Sequence, residues 1–247
     1  MGNSDSRLGY RIMEIKENSP ASRTSVEPML DFLLYPPPDA KGECPAFSEY
    51  VTRNENKEIE LTFYNIATRQ VRKCKITPSK WEGEGLLGFE INQEDYLVAH
   101  NRVIRILDFF LESPLYKGGF NPKTDYILGT EKFVFDDAGE FTSFIQKNNK
   151  KPIDLLVYSS KDEKVRKLTL KPDSEWGGVG YLGGDIGFGY IHSLPIRDQA
   201  VDEDNKKEGE REGVEENTVV TEISSGSLGV NESDILVGGN GIKVNES

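Results

Sequence analysis

The pattern of apolar and polar positions along the 247-residue chain runs through once and then repeats. An apolar run at Tyr10–Ile15 leads into Ser19-Pro20, and the run Val103–Phe110 leads into Ser113-Pro114. Each run predicts a strand, and each Ser-Pro a turn that opens a short helix. Second short strands are predicted at Asp31–Leu34 and Asp125–Leu128. Bulky residues then fall at i, i+3 and i+4: Phe47, Tyr50, Val51 in one copy and Phe141, Phe144, Ile145 in the other. That spacing puts three side chains on one helical face. Ile59–Asn65 with Val71–Ile76, and Ile153–Tyr158 with Val165–Leu170, alternate as half-buried hairpins do. These landmarks are offset by 94 positions, with one inserted residue between Pro172 and Trp176. Two copies make a domain duplication, not a solenoid.

Each copy closes on a tryptophan followed by glycines, Trp81–Ile91 and Trp176–Tyr190, and these are the only two tryptophans. Gly83, Gly85, Gly88 and Gly178, Gly180, Gly183 have the spacing of a dinucleotide-binding loop. Such a loop must lead into a helix. Here Phe89-Glu90-Ile91 and Asp185-Ile186-Gly187 follow, with strand alternation, so nucleotide binding is excluded. A glycine turn that leads into a strand has another use. Its successive N–H groups can cradle a carboxylate, and the strand edge can pair with an extended peptide. A tight turn that lets the tryptophan pack accounts for the same spacing equally well.

The net charge of −12 is unevenly placed: residues 198–247 hold 13 acidic and 4 basic side chains. The remainder is nearly neutral, which argues against a nucleic-acid surface. Residues 198–247 lack proline and aromatics, and disorder is the expectation there, with at most a marginal strand at Thr218–Ile223 or Ile235–Val237. His100, His192, Cys44 and Cys74 show no metal-ligand spacing. Cys74 shares the alternation of Ile76 and reads as a buried thiol. No nucleophile elbow or paired carboxylates stand out, so no catalysis, cofactor or metal is expected. There is no apolar run long enough to span a membrane and no secretory signal core, which makes the cytosol the expected compartment. Met1-Gly2-Asn3-Ser4-Asp5-Ser6 does match the N-myristoylation pattern, with Gly2 as acceptor.

Glu17-Asn18-Ser19-Pro20-Ala21, Trp81–Leu87–Gly88 and Trp176-Gly177-Gly178-x-Gly180-x-Leu182-Gly183, running on to Gly187-x-Gly189-Tyr190-Ile191-His192-x-x-Pro195, resemble the Golgi reassembly and stacking proteins (GRASP) over about residues 2–197. The resemblance implies an α+β, mainly β fold of two tandem PDZ-like domains with the bacterial-type, circularly permuted topology. The domains are expected at 1–103 and 104–197, followed by the acidic tail 198–247. It places one peptide groove at Leu86, Leu87, Gly88, Phe89 and Ile91 against Phe47, Tyr50 and Val51. A second would lie at Tyr181, Leu182 and Gly183 against Phe141, Phe144 and Ile145. Gly189, Tyr190, Ile191 and His192 would be an internal ligand for the first groove.

The family is not enzymatic. It tethers Golgi membranes through N-myristoyl Gly2 on the cytoplasmic face, through a golgin-type coiled-coil partner, and through homo-oligomers formed across apposed membranes. Two departures stand out. The tail is short and acidic, without the Ser/Pro-rich character of animal members, so phospho-regulation is not carried over. Met13 and Glu94 occupy the places where some animal members pair a histidine and a cysteine for zinc, so no zinc is expected. Two other readings remain: a soluble PDZ-type adaptor in vesicle traffic or unconventional secretion, and the regulatory PDZ pair of a protease.

Overall fold

The computed structural model describes residues 8–37 and 44–197; Gly2 and the acidic segment 198–247 lie outside them. The first copy forms β1 (Leu8–Ile15), β2 (Asp31–Leu34), α1 (Phe47–Arg53), β3 (Ile59–Asn65), β4 (Gln70–Ile76) and β5 (Phe89–Asp95). The second forms β6 (Ile104–Phe109), α2 (Pro114–Lys117), β7 (Asp125–Gly129), α3 (Ala138–Lys147), β8 (Ile153–Ser159), β9 (Lys164–Leu170) and β10 (Gly184–Gly187). Both sheets are antiparallel and five-stranded, in the orders β4-β3-β2-β1-β5 and β10-β6-β7-β8-β9. The last strand of each copy is therefore an edge, as the permuted PDZ-like topology requires. The Ser-Pro turns diverge: the first gives only a 3-10 turn at Ala21–Arg23, the second a short helix capped by Ser113.

The duplication extends to buried polar chemistry. Asp31 and Asp125, both fully buried, open equivalent strands. Each accepts a backbone N–H four residues upstream, Glu27 at 2.7 Å and Asn121 at 2.8 Å. Each also pairs with an arginine on the outer hairpin strand, Arg72 or Arg166. Buried carboxylates persist only when paired and hydrogen-bonded in this way.

The Trp-Gly turns are held identically. The Trp81 Nε1–H donates to the Gly85 carbonyl at 3.1 Å, and the Trp176 Nε1–H to Gly180 at 3.0 Å. Each ring lies over the first glycine: a Cβ on Gly83 or Gly178 would come within 2.1 or 2.3 Å of it. The last glycine is fixed from the other side. Gly88 and Gly183 have φ of +79° and +67°, and a Cβ there would lie 2.2 Å from the Ser19 Cβ or 2.4 Å from the Ser113 Cβ. The buried serine of the Ser-Pro turn thus fills the space a side chain would need. Gly88→Ala is expected to cost about 2 kcal/mol through positive φ and the clash together, lowering Tm by about 4–8 °C. Differential scanning calorimetry checks it.

The copies do not keep separate interiors. One apolar cluster is built around Ile12, Leu33 and Phe63, another around Ile106, Phe141 and Leu155. A third joins Met29, Phe32, Tyr64 and Ile66 of the first copy to Tyr126, Leu128, Tyr158 and Leu194 of the second. Around it, Arg197 bonds Glu27 at 2.6 Å and Arg69 donates to the Leu194 carbonyl at 2.9 Å. Burial and the neighbouring Arg69 hold the His100 imidazole below its usual pKa.

Candidate functional site

β5 and α1 flank an open apolar cleft of about 270 Å³, closed at one end by the Trp-Gly turn. Phe47, Ser48, Val51 and Thr52 line it from α1; Glu84, Gly85, Leu86, Leu87, Gly88, Phe89 and Ile91 line it from the turn and edge strand. Of the residues expected on this wall, Tyr50 alone is elsewhere. It turns to the other side of α1, where its ring sits 5.5 Å from that of Tyr35. The i, i+3, i+4 pattern could not separate these two sides, because Tyr50 and Val51 are adjacent and point about 100° apart.

The closed end has a definite polarity. The carbonyls of Leu86, Leu87 and Gly88 accept hydrogen bonds from the backbone N–H groups of Ser79, Ala21 and Lys16 at 3.1, 3.0 and 3.0 Å. Among the described residues, no acceptor faces the N–H groups of those same three residues. With the carbonyls turned inward, the unsatisfied donors are the groups left for a terminal carboxylate or a bound strand. β5 adds an unpaired edge of seven residues, the requirement for strand addition.

The second copy repeats the inward carbonyls. Tyr181, Leu182 and Gly183 accept from Asp173, Leu115 and Phe110 at 3.0, 3.1 and 2.9 Å. Its crevice differs. Tyr181, Leu182 and Phe144 pack against the cluster that contains Phe141 and Ile145. Phe133 meets Phe144 edge-on at 5.4 Å, and β10 has only four residues. Beyond β10 the chain turns at Gly189, φ +86°, into a 3-10 turn, Tyr190–His192. Tyr190 and Ile191 are 82% and 80% exposed. They are nonetheless fixed on both flanks: the His192 ring lies over Gly187, and buried Leu194 donates its N–H to the His100 carbonyl at 3.0 Å.

Among the described residues, no group of three or more His, Cys, Asp or Glu side chains is placed to hold a metal ion. Met13 lies in the shared apolar cluster and Glu94 is bound to Arg11, so both positions are committed to packing and ion pairing. Sequence reasoning missed a further feature, a second apolar cleft of about 230 Å³ behind α1, lined by Tyr35, Cys44 and Tyr50 among others. Burial, with Cys44 and Tyr50 alongside, pushes the Tyr35 phenol upward in pKa. Only the aromatic density around Tyr35, Phe47 and Tyr50 signals it in the sequence.

A family model for the GRASP55/65 PDZ-like domain matches twice, over residues 3–93 and 61–197. The chain is 33% identical over 191 residues to Golgi reassembly-stacking protein 1 of Homo sapiens, covering 76% of this chain and 43% of that protein. The Mus musculus protein of the same name matches at 33% with the same coverage. GRASP65 homolog protein 1 of Saccharomyces cerevisiae is 28% identical over 112 residues, 44% of this chain and 29% of that one. The chain thus spans less than half the length of the mammalian relatives it matches.

Proposed function

The chain belongs to the GRASP55/65 PDZ-like domain family, and from that premise we propose that it is a membrane-anchored Golgi tether. In this reading residues 1–103 and 104–197 act as two PDZ-like domains ahead of the segment 198–247. N-myristoyl Gly2 attaches the protein to the cytoplasmic face, and a golgin-type coiled-coil protein supplies a further hold. The first domain's cleft takes the Gly189-Tyr190-Ile191-His192 turn of another copy, linking molecules on apposed cisternae.

One observation carries the self-association step: an open apolar cleft in one copy and a protruding Tyr190-Ile191 pair in the other. Apolar side chains this exposed, on a turn fixed at both flanks, are pre-organised for insertion, so little ordering entropy is lost on binding. Cleft and turn are different surfaces, so the contact is heterologous and a joined pair still has one cleft and one turn free for the next molecule. Such a contact propagates, as a tether spanning two surfaces must.

Ile91→Asp puts a carboxylate on the apolar wall at a position 42% exposed, where folding tolerates it. It is expected to weaken self-association about 30-fold, the loss of one hot-spot contact of about 2 kcal/mol. Tyr190→Ser with Ile191→Ser is expected to do the same, and combining all three to add little, because both changes remove one contact. Sedimentation velocity across protein concentration reads each. Unchanged sedimentation in both variants would sink the assignment.

A further inference from the structure

The second apolar cleft lies back to back with the first across α1, with Val51 facing one and Tyr50 the other. Leu34, Tyr35, Pro37, Pro45, Tyr50 and Leu61 make it apolar, and the Tyr35 hydroxyl donates to the Pro45 carbonyl at 3.0 Å. Of its polar lining residues, Glu60 is paired with Lys73 at 2.8 Å and Thr62 is buried in β3. Its position relative to the start of the chain is specific. β1 and β2 pair antiparallel with Tyr10 opposite Leu33, which sets Leu8 toward Tyr35 at the same end of the sheet. Tyr10, Leu33 and Tyr35 pack with Phe47 and Tyr50 on the face of the sheet that α1 covers, and Leu8 falls on that same face by alternation. The chain therefore enters β1 on the same face and at the same end of the sheet as Tyr35 of this cleft.

Residues 2–7, Gly-Asn-Ser-Asp-Ser-Arg, reach about 20 Å from Leu8 when extended, which is ample to return to it. None of them carries an apolar side chain, so no side chain of the segment suits the cleft. A fatty acyl group on Gly2 does suit it, and outside a membrane it is driven toward any apolar surface within reach.

We infer that this cleft is an intramolecular seat for the Gly2 acyl chain, occupied when the protein is off the membrane and vacated when the chain inserts. The inference rests on the reading of Gly2 as acylated. It turns the lipid from a constant anchor into one withdrawn from water between membrane encounters.

Cys44, exposed at the cleft, reports on occupancy, and buried Cys74 is an internal control. The full chain is acylated by co-expression with an N-myristoyltransferase, verified by intact mass, and alkylated with N-ethylmaleimide. Cys44 of the acylated chain is expected to react at least about fivefold more slowly than in Gly2→Ala, as a seat filled about four-fifths of the time gives. Phosphatidylcholine vesicles are expected to erase the difference. Tyr50→Asp, on the half-buried outer face of α1, is expected to erase it without lipid. Equal Cys44 rates in the acylated and Gly2→Ala chains would overturn the seat. So would rates that fall together with rising protein concentration, which assign the cleft to a second copy. A slow rate that persists on vesicles would overturn release. An unmodified Gly2 in protein isolated from its own cells would instead remove the anchor reading, while the enzymatically acylated chain still reports on the cleft.

Discussion

Arg11→Met is expected to cost about 3–5 kcal/mol of folding stability, because it leaves a buried carboxylate without its partner. Arg11 is 2% exposed, the largest of the fully buried side chains. Its Nε and Nη2 donate to the two carboxylate oxygens of Glu94 at 2.7 and 3.0 Å. Nη1 donates to the Met29 carbonyl at 2.6 Å, and the guanidinium lies 4.6 Å over the Phe32 ring. One side chain therefore ties β1 to β5, to β2 and to the turn before β2. After its loss the charge nearest Glu94 is Arg102, at 3.9 Å and poorly placed to replace a two-point contact. Arg11→Met with Glu94→Leu is expected to recover most of the loss, since an apolar pair of similar volume removes both desolvation penalties. Urea unfolding, with m compared between variants, reads both. A single-variant loss under about 1 kcal/mol would show that water reaches Glu94. Met29 and Phe32 belong to the cluster shared by both copies, so one transition covering both sheets is expected.

Arg11 also marks a limit of what the sequence makes legible. Alternation along Tyr10–Ile15 identifies a strand, and in an isolated hairpin a polar residue next to Tyr10 would face water. The second copy covers that face, and no local pattern reveals a surface buried by a segment 90 residues away. The internal repeat was legible for a physical reason: each landmark is forced. Ser19 and Ser113 fill the space against Gly88 and Gly183, the tryptophans close over Gly83 and Gly178, and Asp31 and Asp125 repeat their arginine pairs. Contacts this close fix residue identity at a fixed spacing, so the spacing shows through. The helical face that carries Phe47 and Val51 was legible from its period, whereas a cleft between it and the strand of Ile91 was implied by the family resemblance. Tyr50 was not legible, since α1 borders a cleft on each of two sides. The aromatic packing on α3 of the second copy was not either, because it depends on Phe133, in the loop between β7 and α3, reaching Phe144.

Gly2→Ala is expected to lower recovery on vesicles at least tenfold relative to the acylated chain. The residues from 2 to 10 carry one arginine and one aspartate, so no basic patch holds the N-terminus to an anionic surface. Among the described residues no helix is long and apolar enough to cross a bilayer. In the proposed reading the acyl group supplies the membrane affinity, and one myristoyl chain binds with only about 10⁴ M⁻¹. That is too weak to hold a protein on a membrane against dilution, so a second contribution is needed. Self-association supplies one without new chemistry: two linked molecules present two acyl chains, and the second inserts at high effective concentration. The acylated Ile91→Asp chain, impaired in pairing but not in lipid, is therefore expected to fall between the wild type and Gly2→Ala in vesicle co-sedimentation. If Gly2→Ala is retained as well as the wild type, the lipid anchor is wrong. If Ile91→Asp is retained as well as the wild type, avidity between copies does not supply the second contribution. That role then passes to a protein partner, and restoring tight binding by adding Golgi membranes stripped of lipid-anchored proteins but retaining their coiled coils would locate it there.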